Sequence, residues 1–245
     1  MLKGKTALIT GASRGIGSSI AQIFAENNAF VGINYKTNKK KAEYVLEKIK
    51  QRGGKGVLLK GDVSNPKDVE KIVKIFVSEV KKIDILVNNA GIYIRSNFET
   101  LSYETWNKVI STNLTGSFNL CKQVLPFMKP GGKIIFISSQ LAFRGTSHGA
   151  DYASSKAGML GLMRSLALEL ANKKINVNAV APGTIDTDII AGYSEELRKK
   201  RIQEIPLNRI GTPDDIANTC LFLASHLSDY ITGETINVNG GLYIH

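Results

Sequence analysis

The sequence predicts an α/β fold: a doubly wound, seven-stranded parallel sheet with helices on both faces. Three observations carry that expectation. Short β-branched runs alternate with longer segments of helical rhythm, the pattern of parallel strands joined by helical crossovers. Most runs are apolar throughout rather than alternating with polar residues, as strands covered on both faces must be. The first run leads straight into a glycine-rich turn, Thr10-Gly11-Ala12-Ser13-Arg14-Gly15-Ile16-Gly17, and a helix follows.

In chain order, the first strand is expected over Thr6–Thr10. The helix behind the turn, Ile16–Asn28, places Ile16, Ile20, Ile23 and Phe24 at helical intervals. Phe30–Tyr35 and Val57–Lys60 read as the next strands, and Lys67–Val80 repeats the helical rhythm. Ile83–Asn88 and Lys133–Ser138 read as the fourth and fifth strands, with helix near Tyr103–Met128 between them. A long helix is expected over Tyr152–Leu170, then strands over Asn176–Ala181 and Thr235–Val238. The competing fold, a (β/α)8 barrel, needs one strand more than these runs supply.

The chain has 245 residues, 43% of them hydrophobic, and no Pro/Gly/Ser-rich linker, so residues 1–245 are read as one domain. Its formal net charge is +11. Lys36, Lys39, Lys40 and Lys41 form the densest basic cluster, with Arg198-Lys199-Lys200-Arg201 further on. Such clusters are commonly solvated helix faces; an anionic cofactor or acidic protein partner also fits them. Aromatic residues make up 7% and none interleave with the basic clusters, which argues against a nucleic-acid stacking platform. Cys121 and Cys220 lie in apolar helical contexts, as buried thiols do. With His148, His226 and His245 they form no metal-ligand spacing, and no metal is expected. No stretch is long and apolar enough for a signal peptide or a membrane span, so a cytoplasmic protein with no membrane partner is expected.

The glycine turn has the chemistry of a phosphate site. Glycines allow a tight turn and close backbone approach, and the helix start presents unpaired N–H groups and a positive dipole end to a pyrophosphate. The spacing is G-x-x-x-G-x-G rather than the commoner G-x-G-x-x-G, but the strand–turn–helix context is the required one. An NAD site usually carries an acid after the second strand to hold the ribose 2′-hydroxyl. Here the sequence is Asn34-Tyr35-Lys36-Thr37, with no acid before Glu43. Arg14 and Lys36 could face a 2′-phosphate, which favours NADP(H) over NAD(H). Lys36 also belongs to an exposed lysine run, the plainer reading of that residue.

Further motifs share one order and spacing: Asp62-Val63, Asn88-Asn89-Ala90-Gly91, Asn113, Ser139, Tyr152-x-x-x-Lys156, and Pro182-Gly183 with Thr187. With Thr10–Gly17 they make the chain, over nearly its whole length, resemble the short-chain dehydrogenase/reductase family. The resemblance implies a Rossmann-type nucleotide-binding domain. It implies that Gly11, Ser13, Arg14, Gly15, Ile16 and Gly17 hold the cofactor phosphates. Asp62 and Val63 would contact the adenine. Asn89, Ala90 and Gly91 would line the cofactor, and Pro182, Gly183, Ile185 and Thr187 would run beside the nicotinamide. Asn113, Ser139, Tyr152 and Lys156 would be the catalytic tetrad, with Tyr152 and Lys156 also touching the cofactor.

Those residue types suit carbonyl reduction. Hydride arriving at a carbonyl carbon leaves an alkoxide that needs a proton. A free tyrosine has a pKa of about 10, poorly matched to neutral pH. Lys156, one helical turn beyond Tyr152, is expected to favour tyrosinate, together with the positive ring of the oxidised cofactor. Ser139 would hydrogen-bond the substrate carbonyl; Ser138 is the neighbouring candidate, and family spacing to Tyr152 selects Ser139. Asn113 could hold a water that returns protons to Lys156.

Within the family, Asn176–Gly183 and the ending Ile231–Tyr243 most resemble 3-oxoacyl-[acyl carrier protein] reductases of fatty acid synthesis. Sugar, polyol and secondary-alcohol dehydrogenases share much of this, and a non-catalytic nucleic-acid-binding relative is the alternative of a different class. The segment from Asp186 to Gly211 is expected to be a substrate lid. Leu141–Gly149, with Phe143, Arg144 and His148, departs from the commonest carrier-protein reductase forms. The resemblance also implies a homotetramer and a basic rim, Lys129, Lys133, Lys173 and Lys174, for an acidic carrier protein. The tetramer would pair the long helices and the C-terminal strands, with Leu160 and Leu168 among the contacts.

Overall fold

Successive strand residues point to opposite faces, so an unbroken apolar run is buried only where both faces are covered. The computed structural model, which describes residues 1–244, has that arrangement. Strands β1 (Thr6–Ile9), β2 (Phe30–Tyr35), β3 (Lys55–Lys60), β4 (Ile85–Asn88), β5 (Lys133–Ile137), β6 (Asn176–Pro182) and β7 (Thr235–Val238) form one sheet in the order β3-β2-β1-β4-β5-β6-β7. Every pairing is parallel.

Helices α1 (Gly15–Glu26), α2 (Lys39–Gln51) and α9 (Pro213–Ala224) cover one face. Helices α3 (Pro66–Val80), α5 (Gly116–Val124) and α7 (Ala150–Leu170) cover the other. Strand β5 shows why its run is apolar throughout: Ile135 and Ile137 pack into the first layer, Ile134 and Phe136 into the second. The remaining helices are α4 (Tyr103–Ile110), α6 (Leu141–Arg144) and α8 (Glu195–Glu204).

Local sequence sets the helix starts. Asn65 caps α3 by accepting from the Lys67 N–H, with Pro66 at the first helical position. Thr212 and Asp215 form a reciprocal capping box at α9. Boundaries differ from the sequence reading by a residue or two. The β4 ladder starts at Ile85, because the Ile83 N–H bonds the Phe127 carbonyl instead. The helix expected near Tyr103–Met128 is composite: α4 runs through a π-helical turn, Ser111–Thr115, into α5 and a 3-10 turn, Leu125–Phe127.

The chain reverses its direction of winding between β1 and β4. A crevice opens there beyond the carboxyl ends of the strands, where open α/β sheets bind ligands.

Candidate active site

The crevice is a cavity of about 490 Å³. It is lined by Gly11, Ser13, Arg14, Gly15, Ile16 and Gly17 from the turn before α1, and by Lys36, Asp62 and Val63 beyond β2 and β3. Asn89, Ala90 and Gly91 follow β4 along its wall, Ser139 follows β5, and Tyr152 and Lys156 come from α7. Pro182, Gly183, Ile185 and Thr187 complete it beyond β6. Of the expected catalytic and cofactor-binding residues, all but Asn113 line it.

At one end the glycine turn packs closely against the loop after β4. Gly11 has φ +60°, and a Cβ there would lie 2.9 Å from the Ala90 Cα. A Cβ on Gly17 would lie 2.5 Å from Asn89 Nδ2 and 2.6 Å from the Gly11 carbonyl oxygen. Arg14, the residue before α1, caps no helical N–H with its side chain, so the first turn of α1 faces the crevice with its donors uncapped. Thr10 braces this turn: its hydroxyl accepts from the N–H groups of Asn89 and Ala90, each at 3.0 Å. The Asn89 amide donates back to the Thr10 carbonyl at 2.8 Å. A tight glycine cradle that lines the cavity at an uncapped helix start fits a dinucleotide pyrophosphate.

The cations expected at the adenosine end are present and already partnered. Lys36 pairs with Asp62 at 2.5 Å, and Arg14 with Asp188 at 3.1 Å, which Lys41 also approaches at 3.3 Å. Burial would raise the Asp62 carboxyl, but Lys36 and the Ser64 donors outweigh it and hold Asp62 below its usual range.

At the other end, Ser139 and Tyr152 come within hydrogen-bonding reach of each other. The Ser138 hydroxyl points elsewhere and donates to the Lys156 carbonyl at 3.0 Å. Lys156 is buried, and its Nζ donates to the Ile137 carbonyl at 2.6 Å while lying 5.6 Å from the Tyr152 ring centre. Burial pushes the Tyr152 phenol up to about 12, with the Ser139 hydrogen bond opposing it, and pushes Lys156 down to about 8. In the chain alone the tyrosine is therefore raised rather than lowered: desolvation exceeds the Ser139 hydrogen bond that opposes it.

Asn113 sits in the π-helical turn, fully buried, with its side chain amide wholly engaged. Its Oδ1 accepts from the Ile92 N–H at 2.8 Å, and its Nδ2 donates to the Ile92 carbonyl at 3.1 Å and the Ser155 hydroxyl at 3.0 Å. These bonds fix the loop after β4 to α7. The sequence reading missed Tyr93, Asn34 and Leu141 in the wall. Asn34 had a signal, a polar residue inside an apolar run. It accepts from the Gly11 N–H at 3.2 Å and donates to the Leu59 and Gly61 carbonyls, each at 3.1 Å.

The segment from Asp186 to Gly211 is closed at its base, where the Asp186 N–H bonds the Gly211 carbonyl at 2.8 Å. Its Ile189, Ile190 and Tyr193 line the cavity, and Arg95 donates to the Tyr193 hydroxyl. Of the expected basic rim, Lys133 is corrected. Lys133 is buried and paired with Asp229 at 2.7 Å. Lys129, Lys173 and Lys174 are exposed but lie just before β5 and β6, at the amino ends of the strands, away from this chain's own crevice. Leu160 is also buried within this chain, whereas Leu168 is exposed.

The family described as enoyl-(acyl carrier protein) reductase matches residues 11–243. The 3-oxoacyl-[acyl-carrier-protein] reductase FabG of Staphylococcus epidermidis is 44% identical over 242 residues, covering 98% of this chain and 99% of that protein. A short-chain dehydrogenase/reductase variant from Serratia marcescens superposes with a TM-score of 0.94 at 33% identity, covering 98% of each chain. The angucycline C-6 ketoreductase LanV, solved with bound NADP, gives 0.94 at 32% identity, covering 98% of this chain and 96% of its own. The crevice at the β1/β4 reversal, the glycine cradle and the Ser139–Tyr152–Lys156 cluster agree with these likenesses, and this chain belongs to the short-chain dehydrogenase/reductase family.

Proposed function

We propose that the protein reduces 3-oxoacyl groups on acyl carrier protein to 3-hydroxyacyl groups with NADPH, as a cytoplasmic homotetramer whose 1–245 chain is one functional domain. The observation that carries the chemistry is that Ser139, Tyr152 and Lys156 line one cavity, with Lys156 Nζ anchored on the Ile137 carbonyl. When bound, the reduced nicotinamide supplies hydride to the carbonyl carbon. Ser139 donates to the carbonyl oxygen, and Tyr152 passes its proton to that oxygen as negative charge develops. The Lys156 cation steadies the phenolate that results, which then regains a proton from solvent. Asn113 holds the Ile92 loop and α7 in register throughout. Ile185, Ile189, Ile190 and Leu141 offer an apolar wall suited to an acyl chain.

The NADP(H) preference rests on Lys36 standing where an NAD site carries an acid, with Arg14 close by on the same cavity. A 2′-phosphate would draw these cations from Asp62 and Asp188, since a phosphate offers more charge than one carboxylate.

The test follows NADPH oxidation with acetoacetyl thioesters, on carrier protein and free, alongside 2-enoyl thioesters, sugars and simple ketones. Consumption of the acetoacetyl substrates, with a 3-hydroxy product, is expected. Turnover of only sugars or polyols would replace the substrate, and turnover of only enoyl thioesters would replace the reaction. No turnover of any substrate, with NADPH still bound, would sink the reductase reading and leave a non-catalytic relative. Titrations in which NADH binds tighter than NADPH would overturn the cofactor assignment.

A further inference from the structure

We infer that Tyr93 is a positioning residue for Tyr152: its ring, anchored by His148, holds the phenol of the catalytic tyrosine against the cavity. The inference rests on the reading of Tyr152 as the proton donor.

Tyr152 is in the first turn of α7, and its half-buried ring needs a wall to hold one orientation. Tyr93 supplies that wall. The two rings stack with centroids 4.5 Å apart and planes 30° apart, within the range of favourable aromatic pairs. Tyr93 comes from residues 89–97, which carry no regular secondary structure, so it needs anchors of its own. Its hydroxyl shares a 2.7 Å hydrogen bond with His148 Nδ1, on the loop that enters α7. The preceding residue, Ile92, is held at both backbone groups by Asn113. Beyond Tyr93, the Ser96 N–H reaches the His148 carbonyl at 3.4 Å.

A glycine nearby is explained by the same ring. Gly149 has φ 179°, outside the left-handed region that favours glycine, so a positive φ does not account for glycine there. A Cβ at Gly149 would instead lie 2.6 Å from Tyr93 Cε2 and 3.1 Å from its hydroxyl oxygen. The missing side chain is the space that the Tyr93 ring occupies. Gly149→Ala is thus a way to displace the ring without altering any atom of Tyr152, Ser139 or Lys156.

The experiment compares wild type with Tyr93→Phe, Tyr93→Leu, Gly149→Ala and the Gly149→Ala/Tyr93→Leu pair. It measures kcat and KM for ketone reduction, the Kd for NADPH and the thermal midpoint. Tyr152→Phe is the control. Tyr93→Phe keeps the stacked ring and should rescue most of the kcat that Tyr93→Leu loses. Tyr93→Leu and Gly149→Ala should each lower kcat about ten- to hundredfold, the scale of a misplaced reacting group, with NADPH binding and the thermal midpoint nearly unchanged. The pair should be no worse than Tyr93→Leu alone, because both changes act through one ring. Wild-type kcat with a raised KM in Tyr93→Leu would overturn the inference, leaving Tyr93 as a pocket wall. Full additivity in the pair would overturn it as well. Full activity in Tyr152→Phe would instead fault the assignment of Tyr152 itself. An inactive Tyr152→Phe beside an unimpaired Tyr93→Leu would fault this inference alone.

Discussion

Tyr152 and Lys156 lie one helical turn apart, and their environments move them in opposite directions. Burial keeps the phenol protonated, its pKa pushed up to about 12, and disfavours the ammonium, pushed down to about 8. A protonated phenol is the form ketone reduction needs. Tyr152→Phe, which removes that proton and keeps the ring, should retain cofactor binding and lose about 10²–10⁴-fold in kcat, measured under single-turnover conditions. The pH dependence follows with its sign. Reduction should hold level through neutral pH, then fall as Lys156 loses its charge above about pH 8. The reverse oxidation needs the phenolate, so its rate should climb with pH instead. Parallel profiles in both directions would show that neither group limits the rate.

At the scale of elements, the turn into α1 is shaped by close packing against the loop after β4. Gly17 is packed so closely that a Cβ would overlap both the Asn89 amide and the Gly11 carbonyl. Gly17→Ala forces the turn away from β4, and overpacking of that kind typically costs about 1–3 kcal/mol. The expected result is a lowered thermal midpoint together with weaker binding of both nicotinamide cofactors, read by calorimetry. Unchanged cofactor binding would separate this turn from the cofactor. The π-helical turn between α4 and α5 is a second shaped element. It is where Asn113 is buried with all its amide bonds made, a placement typical of functional π turns.

At the scale of the whole molecule, apolar side chains remain outside the two packed layers. Tyr103, Phe118 and Leu168 are exposed on α4, α5 and α7, and Leu207 and Tyr230 toward the C-terminal end. Light scattering at micromolar concentration should report four times the 26.7 kDa chain mass, and Leu168→Glu should lower it. A wild-type monomer would refute the tetramer. Carrier-protein docking belongs to this scale too. Arg144 is exposed at the end of α6, which begins at the cavity residue Leu141. Arg144→Glu should raise KM for carrier-bound substrate and leave a free acetoacetyl thioester nearly unaffected, and added salt should act likewise on wild type. Equal effects on both substrates would remove the docking hypothesis and leave the reductase chemistry standing.

The parts legible in the sequence were those written in local spacing. Most of the seven strands follow from unbroken apolar runs, because a strand buried on both faces has no polar side. The glycine turn and the Tyr152/Lys156 pair follow from short intervals set by turn and helix geometry. What only the tertiary structure decided depends on which distant segments meet. Tyr93 and His148 are separated by 55 residues, and nothing in either neighbourhood announces their bond. Ser139 differs from Ser138 only in the direction taken as β5 ends, where one hydroxyl turns to the Lys156 carbonyl and the other to Tyr152. Lys133 reads as one more surface lysine until Asp229 is brought to it, 96 residues along the chain. Strand order and crossover path set these meetings, and burial then alters the charge of what has met, so side-chain roles in the crevice are properties of the assembled sheet rather than of any one stretch of sequence.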